Sequence, residues 1–275
     1  LNISISLIYI FYKCLVLKFK NINKNIFIIL SLVIFLSPTF RSLAIWPDSR
    51  IIGVIFFTLS ILEFLKFEQD KNFSHVWKNL LYLIISSYIS PNFSIFIIFF
   101  AYHYLKKINF LRIITISLFC LIMAFPAFYY LFILDINFLL AKTPGSNANE
   151  TIGLSFNFSD KILIISSIIM FHLSPFLINK KFFIEFLDYS KKNIFAIISI
   201  FLLCIIFFEY SISFTGGGVF FQFSNLIFKS NIIFYIFALL SLFLLGYISN
   251  KNLNNFLIFF VLIFSNIQNS IYHKY

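Results

Sequence analysis

Long stretches of this chain carry almost nothing but apolar side chains, and short clusters of lysine, asparagine, serine and proline break them up. The apolar runs fall at 3–17, 26–38, 51–65, 80–89, 93–105, 111–133, 162–178, 194–208, 231–247 and 256–271. In hydrocarbon every backbone amide needs an internal partner, so such runs must be helices, each needing about 20 residues to span a bilayer. Several runs are shorter than that. The two on either side of Ser90, Pro91 and Asn92 are too short for independent spans, and the pattern predicts a helical hairpin turning at that tripeptide, or one kinked helix. The expected fold is all-α: a polytopic transmembrane bundle of roughly 8–10 membrane helices, some short or re-entrant. The whole chain, 1–275, reads as a single membrane domain with external loops at 39–50, 134–161 and 209–229.

Composition strengthens this picture. The 275 residues are 61% hydrophobic and only 11% charged, too few polar groups to coat a water-soluble surface of this size. The 43 phenylalanines, with abundant Ile, Asn and Lys, read as codon bias over a membrane requirement rather than an aromatic binding surface. A formal charge of +11 raises nucleic acid as a partner, but the basic residues sit between apolar runs rather than on one accessible face, so no nucleic-acid partner is expected. Cys14, Cys120 and Cys204 lie singly in or beside apolar segments, with no CxxC pair, and read as packing residues. No metal or cofactor is implied.

Taking the 80–105 pair as a hairpin makes the connecting segments alternate between two sides. One side then holds fifteen lysines and arginines, including Lys13, Lys66, Lys106, Lys180 and Lys251, and the other six: Arg41, Arg50, Lys142, Lys161, Lys229 and Lys274. The richer side is cytoplasmic. Trp46 and Trp77 fall at segment ends, where indole favours the headgroup region. Residues 180–192 place Phe183, Phe186, Leu187 and Ser190 on one helical face between lysine pairs, predicting a helix lying flat on the cytoplasmic surface, with a solvated loop as the alternative. This frame puts Leu1 outside without an initiator Met, so the reading expects an upstream helix and a first external loop before residue 1.

Candidate chemistry concentrates outside. The link around Trp46 holds Arg41, Asp48 and Arg50. Asp48, after Pro47 and before the apolar run at 51, serves equally well as a helix cap or as a functional carboxylate. Arg41 and Arg50 either snorkel to headgroups or hold a lipid phosphate or diphosphate. Gly216, Gly217 and Gly218 lack the strand context and the Lys-Ser/Thr of a phosphate loop and read as a turn. Asn149, Glu150 and Thr151 match a glycosylation sequon. Glu63 pairs with Lys66 at helical spacing, Glu209 sits at an outer helix end, and His172 reads as a packed or hydrogen-bonded residue rather than a ligand.

Residues 37–67, SPTFRSLAIWPDSRIIGVIFFTLSILEFLKF, resemble a stretch of the polytopic glycosyltransferases of the GT-C type, the protein O-mannosyltransferase and aminoarabinose-transferase-like group. There a short external link with an acidic residue leads into an apolar helix with a basic inner end; Asp48 matches the acidic position and Lys66 the basic end. The resemblance implies transfer of a sugar from a polyprenyl-phosphate carrier to an unidentified acceptor on the extracytoplasmic face of a bacterial inner membrane. Membrane lipid is the surrounding partner. In that group the principal acidic residue lies in the first external loop, which falls upstream of residue 1, so this chain reads as such an enzyme or its C-terminal portion. Asp48 is then a substrate-orienting candidate, and Arg41 and Arg50 are lipid-phosphate candidates. Two other readings stay open. A transporter or flippase of a lipid-linked glycan predicts a polar path through the bilayer centre, and a non-catalytic scaffold predicts arginines that merely face headgroups.

Overall fold

The computed structural model describes residues 2–19, 23–36, 50–134, 155–211 and 216–266. Among them the fold is all-α, in two compact units that divide near residue 139.

The first unit contains α1 (Asn2–Lys18), α2 (Lys24–Leu32) with a 3-10 turn (Val33–Leu36), α3 (Arg50–Asp70), α4 (Phe73–Ile89), a 3-10 turn (Pro91–Phe96), α5 (Ile97–Leu105) and α6 (Phe110–Phe128). Helices α3 and α4 form a tight antiparallel pair joined through Lys71, which takes a left-handed φ of 58°, and Asn72, whose side chain caps α4 by accepting from the Ser74 amide. Small residues let the two backbones approach. Ser86 Oγ donates to the Gly53 carbonyl at 2.8 Å, and a Cβ at Gly53 would lie 3.1 Å from the Ile89 side chain. Helix α1 packs on α3 through Leu7, Ile8 and Ile51. Phe64, Phe67, Leu80, Phe100 and Tyr104 form the larger core.

The α4–α5 segment is a hairpin, as the polar interruption at Ser90 predicts. Tyr104 Oη donates to Asn79 Oδ1 at 2.8 Å, whereas 25 residues of continuous helix would hold these groups about 37 Å apart. Helix α4 also starts earlier than hydropathy alone suggests, because its first two turns carry Ser74, His75, Lys78 and Asn79. Helix α6 carries Pro126 and leaves α geometry in a π turn at Tyr129–Ile133. Leu118, Leu121, Ile122 and Phe125 along it are all exposed, so among the described residues one face of this apolar rod is left uncovered, while Ile116 and Phe119 on the other pack on the core.

The second unit contains α7 (Phe158–Leu173) with a 3-10 turn (Ser174–Ile178), α8 (Lys180–Lys192), α9 (Ile194–Ile206), α10 (Gly218–Phe228), α11 (Ile232–Lys251) and α12 (Leu253–Ser265). Helix α7 is central: Leu163, Ile164, Ser166 and Ser167 are fully buried, and Ser241 Oγ of α11 donates to Ser166 Oγ at 2.8 Å. Where the sequence reading has an external loop at 209–229, residues Gly218–Phe228 instead form α10 and bury Phe221 and Ser224. Gly216, Gly217 and Gly218 all take positive φ in the turn that opens it. A Cβ at Gly218 would sit 2.5 Å from Ile168 on α7, so glycine both turns the chain and seats the helix.

Among the described residues, three helical segments are long and apolar enough to cross a membrane: Phe110–Ile133, Phe158–Ile178 and Ile232–Lys251, with 24, 21 and 20 residues. The α8–α9 pair makes a fourth if it is counted as one span bent by 77°. The other apolar runs form shorter helices or, like α3, carry several charges at one end. The count by length is therefore smaller than the run count predicts among the described residues.

Candidate functional site

Of the residues the sequence singles out, Arg41 and Asp48 lie outside the described residues. Arg50 is the first residue of α3 and is partly exposed. From Ile51 to Leu62 that helix has no charged residue; Glu63, Lys66, Glu68 and Asp70 follow in its last two turns. The helix therefore separates one guanidinium from a dense charged cluster by about 20 Å of apolar rod.

That cluster is built by the α3–α4 turn. Glu63 is only 5% exposed. Its Oε1 accepts from Lys66 Nζ at 2.6 Å, the pairing that the helical spacing predicts. Its Oε2 faces His75 Nδ1 at 2.6 Å, a partner that sequence spacing does not reveal because it comes from the next helix. The other ring nitrogen, Nε2, lies 3.0 Å from Asp70 Oδ2. Both ring nitrogens of His75 thus face carboxylates. The Asn72 amide, donating to Asp70 Oδ1, holds that carboxyl below its ordinary range, and the charge of His75 adds to the effect. One turn deeper, Asn79 Nδ2 donates to the carbonyl and the hydroxyl of Ser60, both at 2.8 Å. Lys107 pairs with Glu68. Both Glu63 oxygens are engaged, so this carboxylate clamps the α3–α4 turn, while Glu68 Oε1 is buried without a hydrogen-bond partner among the described residues.

The second unit has two further polar sites. At the start of α7, Asp160 and Lys161 are 6% and 1% exposed. Asp160 Oδ1 accepts from the backbone amides of Glu209 and Tyr210 at 2.9 and 3.1 Å, tying α7 to the chain that follows α9. Lys161, assigned to an external loop by the charge count, is thus a core residue in the first turn of a helix. Asn157 caps the same helix and donates to the Phe207 carbonyl at 2.7 Å. At the opposite end of this unit, Glu185 Oε2 accepts from Tyr247 Oη and Lys251 Nζ at 2.7 and 2.5 Å, and Lys251 keeps the Glu185 carboxyl below its ordinary value.

Glu209 is exposed, and so is His172, which meets Phe171 edge-on and is not packed in the core as its apolar neighbours suggest. Trp77, in the second turn of α4, packs edge-on against Phe119 at 4.9 Å. Cys14 and Cys204 are buried and Cys120 partly so, all as free thiols. The Gly216–Gly218 turn is closed by Gln222, whose side chain donates to the Gly216 carbonyl, and reads as a helix opening. Buried carboxylates in both units are thus committed to structural bonds.

Comparison with known proteins finds no matching family model, no matching curated protein and no matching solved structure.

Proposed function

We propose that this chain is a multi-pass protein of a bacterial inner membrane and acts in glycosyl transfer, moving a sugar from a polyprenyl-phosphate carrier to an acceptor on the extracytoplasmic face. The observation that carries this reading is α3, which lies within the passage resembling GT-C glycosyltransferases. It is one unbroken 21-residue helix with Arg50 at its start and its other charged groups gathered at the far end. In this reading Arg50 and Arg41 hold the lipid phosphate, whose departing charge guanidinium groups stabilise, and Asp48 orients the substrate. The commitment of Glu63, Asp160 and Glu185 to structural bonds favours a site in the external links over one at these clusters. Transport of a lipid-linked glycan is less well supported: among the described residues the middle of each long apolar helix carries hydroxyl groups but no charge.

The test is transfer of labelled sugar from polyprenyl-phosphate donors by membranes containing the wild type, Asp48→Asn or Arg41→Ala/Arg50→Ala. The arginine pair should cost about tenfold to a hundredfold in transfer, matching about 1.5–3 kcal/mol for charged hydrogen bonds. Equal transfer by all three at equal expression would remove these residues from the site. No transfer by the wild type across a broad donor panel would contradict the reading itself.

A further inference from the structure

Helix α8 presents two different faces. Phe182, Phe186 and Tyr189, at i, i+4 and i+7, pack on Tyr247 of α11, with ring centroids 5.2, 6.1 and 5.9 Å away. Gly246 makes room for this seat, since a Cβ there would lie 3.0 Å from Tyr189 Oη. The Glu185 bonds to Lys251 and Tyr247 fix the same helix from the side. A second apolar stripe has no protein against it among the described residues. Lys180, Ile184, Leu187 and Lys191 follow the i, i+4, i+7, i+11 spacing of one helical face, Phe183 lies beside them, and all five are exposed. Lys181, Asp188 and Lys192 occupy the remaining arc.

We infer that this stripe is a docking surface for the membrane that recognises anionic phospholipid headgroups, with Lys180 and Lys191 binding the phosphates. Three observations select this occupant. Helix α8 bends by 77° into the strongly apolar α9, so when α9 runs along the bilayer normal α8 lies nearly in the plane of the headgroups. The exposed apolar side chains sit between lysines at both ends of the stripe, so the rings and aliphatic groups enter the acyl boundary while the ammonium groups reach phosphate. The contacts to Tyr247 and Gly246 hold the helix in one rotational setting, so the stripe is presented without a prior folding step. The inference needs only that the chain sits in a membrane and is independent of glycosyl transfer.

The test uses the full chain with Trp46→Phe and Trp77→Phe, so that Phe183→Trp supplies the only indole. It is reconstituted in vesicles holding equal amounts of phosphatidylglycerol and phosphatidylcholine, with one lipid at a time carrying bromine on its acyl chains. Brominated phosphatidylglycerol should quench the indole on the order of fivefold more effectively than brominated phosphatidylcholine, from the attraction each lysine contributes at an anionic surface. The preference should vanish in Lys180→Gln/Lys191→Gln and return in Lys180→Arg/Lys191→Arg, which separates lost charge from lost folding. Equal quenching by both lipids in the parent would overturn the headgroup recognition, and absence of quenching by either would overturn the docking itself.

Discussion

Glu63 is the residue whose environment makes the sharpest demand on its neighbours. A carboxylate this deeply buried is tolerated because Lys66 and His75 each satisfy one of its oxygens. His75→Ala should therefore cost about 1.5–3 kcal/mol of stability, the range for a hydrogen bond to a charged group, read as a lowered denaturation midpoint in detergent. Asp70→Asn, at a half-exposed partner of the same ring, should cost clearly less. Equal losses would mean that burial of Glu63 is not what His75 serves. The Lys66 half of this clamp was legible from helical spacing, since the two residues lie three apart on one helix. The His75 half was not, because it depends on how tightly the chain turns through Lys71 and Asn72. Lys161 was misread for a related reason: a lysine at the edge of an apolar run counts as exposed in any linear tally, and only packing of α7 buries it.

At the scale of elements, asparagine is what the sequence reading undervalued. Asn23, Asn72, Asn157, Asn179 and Asn252 each precede a helix and accept a backbone amide from its first turn. A residue ascribed to genome composition thus sets where many of the helices begin, and α2, α4, α7 and α12 each start before the apolar run they carry. The hairpin at Ser90 was readable because proline and two polar residues interrupt hydrocarbon. Helix α10 was not, since its glycine-rich start and short apolar run also suit a loop. Its docking gives a direct prediction. Gly218 has φ +77° and lies against Ile168, so Gly218→Ala should cost about 1–3 kcal/mol through backbone strain and overpacking. Gly53→Ala, at an ordinary helical φ and with its nearest neighbour Ile89 Cγ2 at 3.1 Å, should cost less. Comparable denaturation midpoints for the two variants would contradict the tight seat assigned to α10.

For the whole molecule, the all-α fold and the membrane environment follow from composition and run length, and the exposed apolar length of α6 independently supports a lipid surrounding. Function was the least legible level: the passage resembling glycosyltransferases is some thirty residues long, and two of its three candidate side chains, Arg41 and Asp48, fall outside the described residues. The glycosyl-transfer reading rests on orientation, with residues 37–50 facing out and the lysine-rich ends facing in. Single-cysteine labelling in intact cells tests this most directly. In a background of Cys14→Ala, Cys120→Ala and Cys204→Ala, a membrane-impermeant thiol reagent should modify Ser42→Cys at once. Asn252→Cys and Lys192→Cys should react only after the membrane is opened. Labelling of Ser42→Cys and Asn252→Cys from the same side, or with the two sides exchanged, would contradict the account.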